Sequence, residues 1–281
     1  MRLRFLPIFP LVYAAAFLAI AWSLQGSDAL APFELWQKIL VRVLAATGCF
    51  AAFSRFEPGE HLRRAWFWMG GATVLILTRD LLRMAPAFGP QSASPGAQTV
   101  EAGLGVASNL ALLAGVWMLA RSWKMASITL PGGRSGVGAV AVITAAAALL
   151  VAGPGALQQF RVVSEGDWSS LVLVVSAVVD IITLCLITPL LLTAVALRGG
   201  LFSWPWILIT ASRLSWLLYD AAVSLPPGAV PAGLSLAEAC RGLGGNYLFA
   251  AGISQYLVIR QVRRASAAYS SAESVSAAAV S

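Results

Sequence analysis

The stretch "WFWMGGATVLILTRD", from Trp66 to Asp80, places thirteen residues suited to lipid directly before an arginine and an aspartate. A second stretch, "WILITASRLSWLLYD" from Trp206 to Asp220, has the same length and again runs from a tryptophan to an aspartate. Apolar helices of this kind are typical of membrane spans, but charges at a span end need a reason. The pair therefore predicts a helical membrane protein in which one element occurs twice.

The composition supports a membrane protein. The chain of 281 residues is 59% hydrophobic and 11% charged, less than half of the roughly 25% charge of a soluble domain. Eight apolar segments recur, each near the roughly 20 residues that cross a bilayer. We expect an all-α integral membrane protein of about eight transmembrane helices, with Lys38 and Arg42 weakening the second. The segments are approximately 6–25, 33–54, 64–84, 100–121, 136–153, 168–197, 200–224 and 237–260.

The distribution of charge gives an orientation. With the N-terminus inside, 12 of the 19 Lys and Arg residues face the cytoplasm beside three acids, and eight of the 12 acids lie outside. This asymmetry predicts a multi-pass protein of the bacterial inner (cytoplasmic) membrane with both termini cytoplasmic. It also explains the net charge of +7 without nucleic acid as a partner. Alternatively, "MRLR" and the run ending "LAIA" at 18–21 form a cleaved signal peptide, which leaves seven spans.

An internal repeat follows from two alignments. A shift of 140 residues places Trp66 on Trp206 and Asp80 on Asp220. A shift of 137 residues aligns Glu101 with Glu238, Gly105 with Gly242, Asn109 with Asn246, and Gly115 with Gly252. We expect two four-helix halves, 1–124 and 125–264, which cross in the same sense because each has an even number of spans. An Ala/Ser-rich stretch, 265–281, is predicted to be a disordered cytoplasmic tail.

The repeated residues share a helix face. Glu101, Gly105, Asn109 and Gly115 fall within roughly a 120° sector at about 100° per residue, and their counterparts in the second half do the same. The face carries an acid near the outer end, a deeper amide, and glycines. Glycines allow close helix approach, and a buried Asn can hydrogen-bond to a neighbouring helix.

The pattern "LRRAW…ILTRDLLR…EAGLGVASNLALLAGVWMLAR" resembles the multi-span sensory modules that precede histidine kinase and GGDEF domains in bacteria. The similarity covers 62–121 and, to a lesser degree, 202–260. It implies a sensory or signal-coupling role. No output domain follows 264 in this sequence, so the resemblance implies a protein partner on the cytoplasmic side.

Eight residues are candidates for a ligand or ion site. The acids Asp80, Glu101, Asp220 and Glu238 predict either a carboxylate-lined cation, proton or ligand site, or helix ends paired with Arg79, Arg83 and Arg241. Mid-span, Asp180 costs at least about 2.5–3.5 kcal/mol to insert, and Arg213 at similar depth is its predicted partner. That pair suits a proton or ion relay, or alternatively a structural ion pair. The remaining candidates are Asn109 and Asn246.

Several chemistries are disfavoured. His61 is the only histidine, predicted in a solvated loop, so a haem with two His ligands or a multi-His metal site is excluded within this chain. We find no Ser/His/Asp set or Cys/His pair, and expect neither an enzyme nor a cofactor. Two further functions remain open: an ion- or proton-coupled small-solute transporter, and a structural subunit of a larger membrane complex.

Overall fold

The computed structural model describes residues 5–85, 95–125, 133–165, 171–196, 203–223 and 236–280. Within these ranges the chain forms eight α-helices and no strand, which confirms the all-α prediction. The helices are α1 (Ile8–Ser23), α2 (Leu30–Phe53), α3 (His61–Leu82), α4 (Pro95–Met125), α5 (Gly133–Ser164), α6 (Leu171–Ala196), α7 (Ser203–Val223) and α8 (Leu236–Val280).

Six helices close into a ring. In order around it, α2 packs against α3, α3 against α4, α4 against α6, α6 against α7, α7 against α8, and α8 against α2. Outside the ring, α1 packs mainly against α8, and α5 packs against α6 and α7. The contacts of α2 with α3 and of α3 with α4 have counterparts in those of α6 with α7 and of α7 with α8. The halves are not separate packing units, since α4 and α8 each pack against a helix of the other half.

Glycines set the closest helix approaches, as the sequence predicts. A Cβ atom on Gly252 of α8 would lie 2.1 Å from the carbonyl oxygen of Gly48 on α2. One on Gly115 would lie 2.6 Å from Met69 Cγ of α3. The matched glycines Gly105 and Gly242 face matched neighbours, α6 and α2, where a Cβ would lie within 2.7 Å of a side chain. At Gly252 the obstructing atoms are backbone, so only glycine fits there without moving a helix, whereas at the other three the nearest atom belongs to a side chain.

The two ends of the ring differ in chemistry. At the end where α3 begins, the interior is apolar and contains fully buried Trp66, Met69, Leu119 and Ile209. His61 begins α3 there, where its Nε2 lies 2.8 Å from the carbonyl oxygen of Met118, so it is not the solvated loop residue that we predicted. At the end where α3 stops, charged side chains point into the ring. The interior of the ring is therefore polar at one end and apolar at the other.

Two helices in the described ranges are long and apolar enough to cross a membrane: Leu30–Phe53 and Gly96–Ser122. The first is the segment that Lys38 and Arg42 were expected to weaken. Ser135–Leu150 and Gly153–Ser164 meet at a 58° bend and make a third span if they act as one. Ile8–Ser23 and Val174–Pro189 are apolar but shorter.

Two boundaries differ from the sequence prediction. The fifth segment was expected to end at 153, but α5 resumes after its bend and continues to Ser164. Pro154 accounts for the bend, because proline lacks an N–H and its ring displaces the preceding carbonyl. Similarly, α8 continues to Val280 where 265–281 was expected to be disordered. Extending a formed helix through alanine, the strongest helix former, is easier than starting one.

Removing residues 265–281 is expected to leave the ring intact. The side chains of 261–267 are exposed, so the deletion uncovers no apolar contact there. We expect the melting temperature of the detergent-purified protein to change by less than about 2 °C, the shift that roughly 1 kcal/mol produces at this size. A large drop would show that the end of α8 packs against the ring.

Candidate functional site

A cavity of about 130 Å³ lies inside the ring, at its charged end. Its wall contains one charged or amide side chain from each ring helix. They are Arg42 of α2, Arg79 of α3, Asn109 of α4, Asp180 of α6, Arg213 of α7 and Arg241 of α8. The cavity is therefore bordered by every helix of the ring.

One side of the cavity is built around Asp80. Its Oδ2 lies 3.7 Å from Arg42 Nε, and its Oδ1 lies 3.5 Å from Arg79 Nη2. The guanidinium carbon of Arg42 lies 4.8 Å from the centre of the Trp216 ring, a cation–π distance. Asp80 and Arg42 are only 7% and 9% exposed. Asp80 is thus part of a buried charge cluster, not a solvated helix end.

The second side is built around Arg241. Its Nη1 donates to Glu238 Oε2 at 2.8 Å, its Nη2 donates to the Tyr219 hydroxyl, and its guanidinium carbon lies 4.7 Å from the Tyr219 ring centre. Lys38 Nζ lies 3.2 Å from the other Glu238 oxygen. Glu238 and Tyr219 together hold the Arg241 guanidinium beside the cavity.

The third side contains the mid-span pair. Arg213 Nη1 lies 4.0 Å from Asp180 Oδ1, and the two residues are 3% and 5% exposed, which confirms the predicted partner. Arg213 Nη2 also donates to Ser212 Oγ at 3.1 Å, and Ser212 donates to the carbonyl oxygen of Gly244 at 2.7 Å. The carboxyl groups of Asp180 and Asp220 also lie against each other, which joins α6 to α7 at a second point.

The four predicted acids do not form one carboxylate site. Glu101 pairs with Arg83, whose side chain is half exposed, and neither lines the cavity. Asp80 and Glu238 pair with the arginines proposed for them, so pairing is observed for three of the four acids. Among the described residues no group of three or more His, Cys, Asp or Glu could hold a metal ion.

The two asparagines occupy different environments. Asn109 lines the cavity. Asn246 is fully buried, and its Nδ2 donates to the carbonyl oxygen of Gly242 in its own helix at 3.0 Å, not to a neighbouring helix as we predicted. An Asn side chain can reach the preceding turn of its own helix, and this contact competes with one between helices.

Sequence reasoning did not assign a site role to Arg42, Arg79 and Arg241, or to the rings of Trp216 and Tyr219. The general rule that charges within spans mark functional sites applies to Arg42 directly. In a long apolar segment, however, Arg42 by itself indicates a weak span as readily as a site. Arg79 and Arg241 were considered only as neutralising partners of the acids.

The cavity wall is strongly cationic. Four arginines line it, and Asp180 is the one acid among the lining residues. The Nε atoms of Arg42, Arg79 and Arg241 are shielded from solvent and have no hydrogen-bond partner among the residues that the structure describes. Buried polar groups nearly always have partners, so the donors of these three guanidinium groups are incompletely used.

Comparison with known proteins identifies no relative: no family model, curated protein or solved structure matches the chain. The fold and the site define its class as an all-helical protein with a charged cavity inside a six-helix ring.

Proposed function

We propose that this chain is a multi-pass membrane protein with eight spans and both termini in the cytoplasm. The support is an inverted distribution of polarity. Arg42, Asp180 and Arg213 are buried, while Leu150 and Val142 on the outside of α5 are 79% and 69% exposed. Exposed apolar side chains are favourable against lipid, and charges within a span face protein. The two helices that are long and apolar enough to cross a membrane, Leu30–Phe53 and Gly96–Ser122, are two of the proposed spans.

The proposed activity is sensing: a small ligand binds in the cavity, and the helices of the ring shift to signal to a cytoplasmic partner. One observation carries this proposal, namely that a single cavity receives a polar side chain from all six ring helices. A ligand that contacts two arrangements of the ring differently shifts the balance between them. Small helix shifts of about 1–2 Å are a common form of such signals.

The proposed partner surface is the opposite end of the ring. Arg64, Arg121 and Arg260 are exposed there, and Arg263 lies 3.6 Å from Glu57 in the loop between α2 and α3. In the proposed topology this end faces the cytoplasm. Its basic character suits acidic side chains of a partner as well as lipid headgroups.

A distance measurement tests the sensing proposal. Spin labels on cysteines at Arg121 and Arg260, in a chain whose Cys49, Cys185 and Cys240 are replaced, report the separation of α4 and α8 at the basic end. We expect Asp180→Asn in lipid nanodiscs to change the distance distribution, because it alters the charge that joins α6 to α7. Glu101→Gln serves as a control, since Glu101 lies outside the cavity.

Flux through proteoliposomes distinguishes a sensor from a carrier. A sensor is expected to conduct neither protons nor small solutes above the rate of empty liposomes. Robust flux that Asp180→Asn abolishes, together with an unchanged distance distribution, would contradict sensing and favour the transporter alternative. An intramembrane carboxyl pair is a feature that proton-coupled carriers use, which makes this control necessary.

A further inference from the structure

We infer that the cavity binds a small monocarboxylate anion, with Arg42, Arg79 and Arg241 as the groups that hold it. This inference identifies the ligand class of the proposed sensory site and rests on that proposal for its location. Three independent features of the cavity support it: its charge, the unused donors of its arginines, and its size and walls.

The charge favours an anion. Four arginines line the cavity, and three carboxylates pair with them: Asp80, Asp180 and Glu238. Lys38 also shares Glu238, so five cations meet three carboxylates in these pairs, and positive charge is in excess. A bound anion reduces this excess, and an uncompensated charge in a region shielded from water is unfavourable. A cationic ligand would instead increase the excess of positive charge.

The arginine donors favour a carboxylate. Arg42 is 9% exposed and its Nε has no hydrogen-bond partner, because the nearest Asp80 oxygen is 3.7 Å away. The Nε atoms of Arg79 and Arg241 are also unused. A guanidinium presents its donors as a planar fork, which a carboxylate accepts through two parallel bonds. Because Asp80 already pairs with Arg42 and Arg79, a bound carboxylate competes with Asp80 for these two arginines.

The size and walls limit the ligand to a short chain. A cavity of about 130 Å³ is slightly smaller than the roughly 150 Å³ that admits benzene, so nucleotides and sugars are too large. The lining also includes the apolar side chains of Ile76, Leu112 and Leu248, together with the ring of Trp216. An acid with a few carbons places its carboxylate at the arginines and its chain against these residues.

Propionate binding to the full chain in nanodiscs tests the inference, with calorimetry and tryptophan fluorescence as readouts. We expect propionate to bind, and its neutral isostere propionamide and the cation propylammonium not to bind. Arg42→Gln should weaken propionate binding about 10-fold or more, since a hydrogen bond to a charged group contributes about 1.5–3 kcal/mol. Arg83→Gln, outside the cavity, should leave affinity unchanged.

Asp80→Asn gives a test of opposite sign. It removes the carboxylate that competes with the ligand, so propionate affinity should rise by several fold. Weaker propionate binding in Asp80→Asn, binding of propylammonium, or phosphate binding in place of propionate would each overturn the inference. Propionate binding without movement at the basic end would support this ligand class while contradicting the sensory function. A changed distance between α4 and α8 in Asp180→Asn, without propionate binding, would support the sensory function and contradict this ligand class.

Discussion

Replacing Gly252 by alanine is expected to destabilise the ring more than any other substitution of a single methyl group. The new Cβ would lie 2.1 Å from the carbonyl oxygen of Gly48 and 2.9 Å from the backbone nitrogen of Cys49. Both atoms belong to a helix backbone, which cannot rotate away as a side chain can. The helices α2 and α8 must separate, and we expect a loss near the upper end of the 1–3 kcal/mol typical of overpacking.

The melting midpoint in detergent measures this effect, and the chain supplies a matched control. Gly71 also lies within a helix, but no atom lies within 4 Å of a Cβ built on it. Gly71→Ala is therefore expected to be neutral or to stabilise by about 0.4–1 kcal/mol, because alanine restricts the unfolded chain. Gly48→Ala should reproduce the loss from the other side, since its Cβ would lie 2.6 Å from the carbonyl oxygen of Phe249. Equal midpoints for Gly71→Ala and Gly252→Ala would contradict the close contact.

These glycines could be predicted from the sequence because their signal is local. Helical spacing places Gly242, Asn246 and Gly252 on one face, and the matching face in the first half shows that the spacing recurs. The structure finds close neighbours at Gly105, Gly115, Gly242 and Gly252. The eight apolar segments likewise predicted the eight described helices, because a helix forms its backbone hydrogen bonds within one segment of the chain.

The order of the helices in the ring could not be predicted in the same way. That α4 packs against α6, and α8 against α2, depends on contacts between residues far apart in the chain. These contacts decide which charges meet. Arg42 reaches Asp80 only because α2 lies beside α3. It lies over the indole of Trp216 only because α7 and α8 close the circle of helices beside α2. Thus the acids were identified individually, whereas the cavity that the arginines form was not.

The site residues also differ in how well the sequence limits their partners. Asp180 lies deep in an apolar segment, where few charged groups can reach it, and Arg213 was the natural candidate. Asp80 lies near a helix end where several arginines and solvent are all possible partners, so burial could not be predicted. The partner of a charged residue is predicted most reliably where apolar surroundings leave few other charged groups within reach.

Replacing Asp180 by leucine is expected to destabilise the protein much more than replacing Arg213 by leucine. Asp180→Leu leaves the Arg213 guanidinium 3% exposed with Ser212 as its remaining observed side-chain partner. Arginine cannot release its proton in a protein, so the charge stays buried. Breaking a buried ion pair in this way costs about 3–5 kcal/mol.

The reverse substitution has a milder outcome because a carboxyl group can become neutral. In Arg213→Leu, Asp180 can bind a proton and so lose its charge, which the guanidinium of Arg213 cannot do in the opposite variant. The double substitution removes both charges and should recover most of the loss, since apolar pairs often replace buried ion pairs without penalty. The three variants together give the coupling energy of the pair by a double-mutant cycle.

The Arg83–Glu101 pair is the control for this cycle. It also joins an arginine to a carboxylate, but the side chain of Arg83 is 51% exposed. Exposed pairs contribute about 0–1 kcal/mol, so the same cycle at Arg83 and Glu101 should give a small coupling energy. Denaturation midpoints in detergent measure both cycles. Equal coupling energies at the two pairs, or equal losses in Asp180→Leu and Arg213→Leu, would show that the charge of Arg213 is solvated and that the cavity is open to water at that depth.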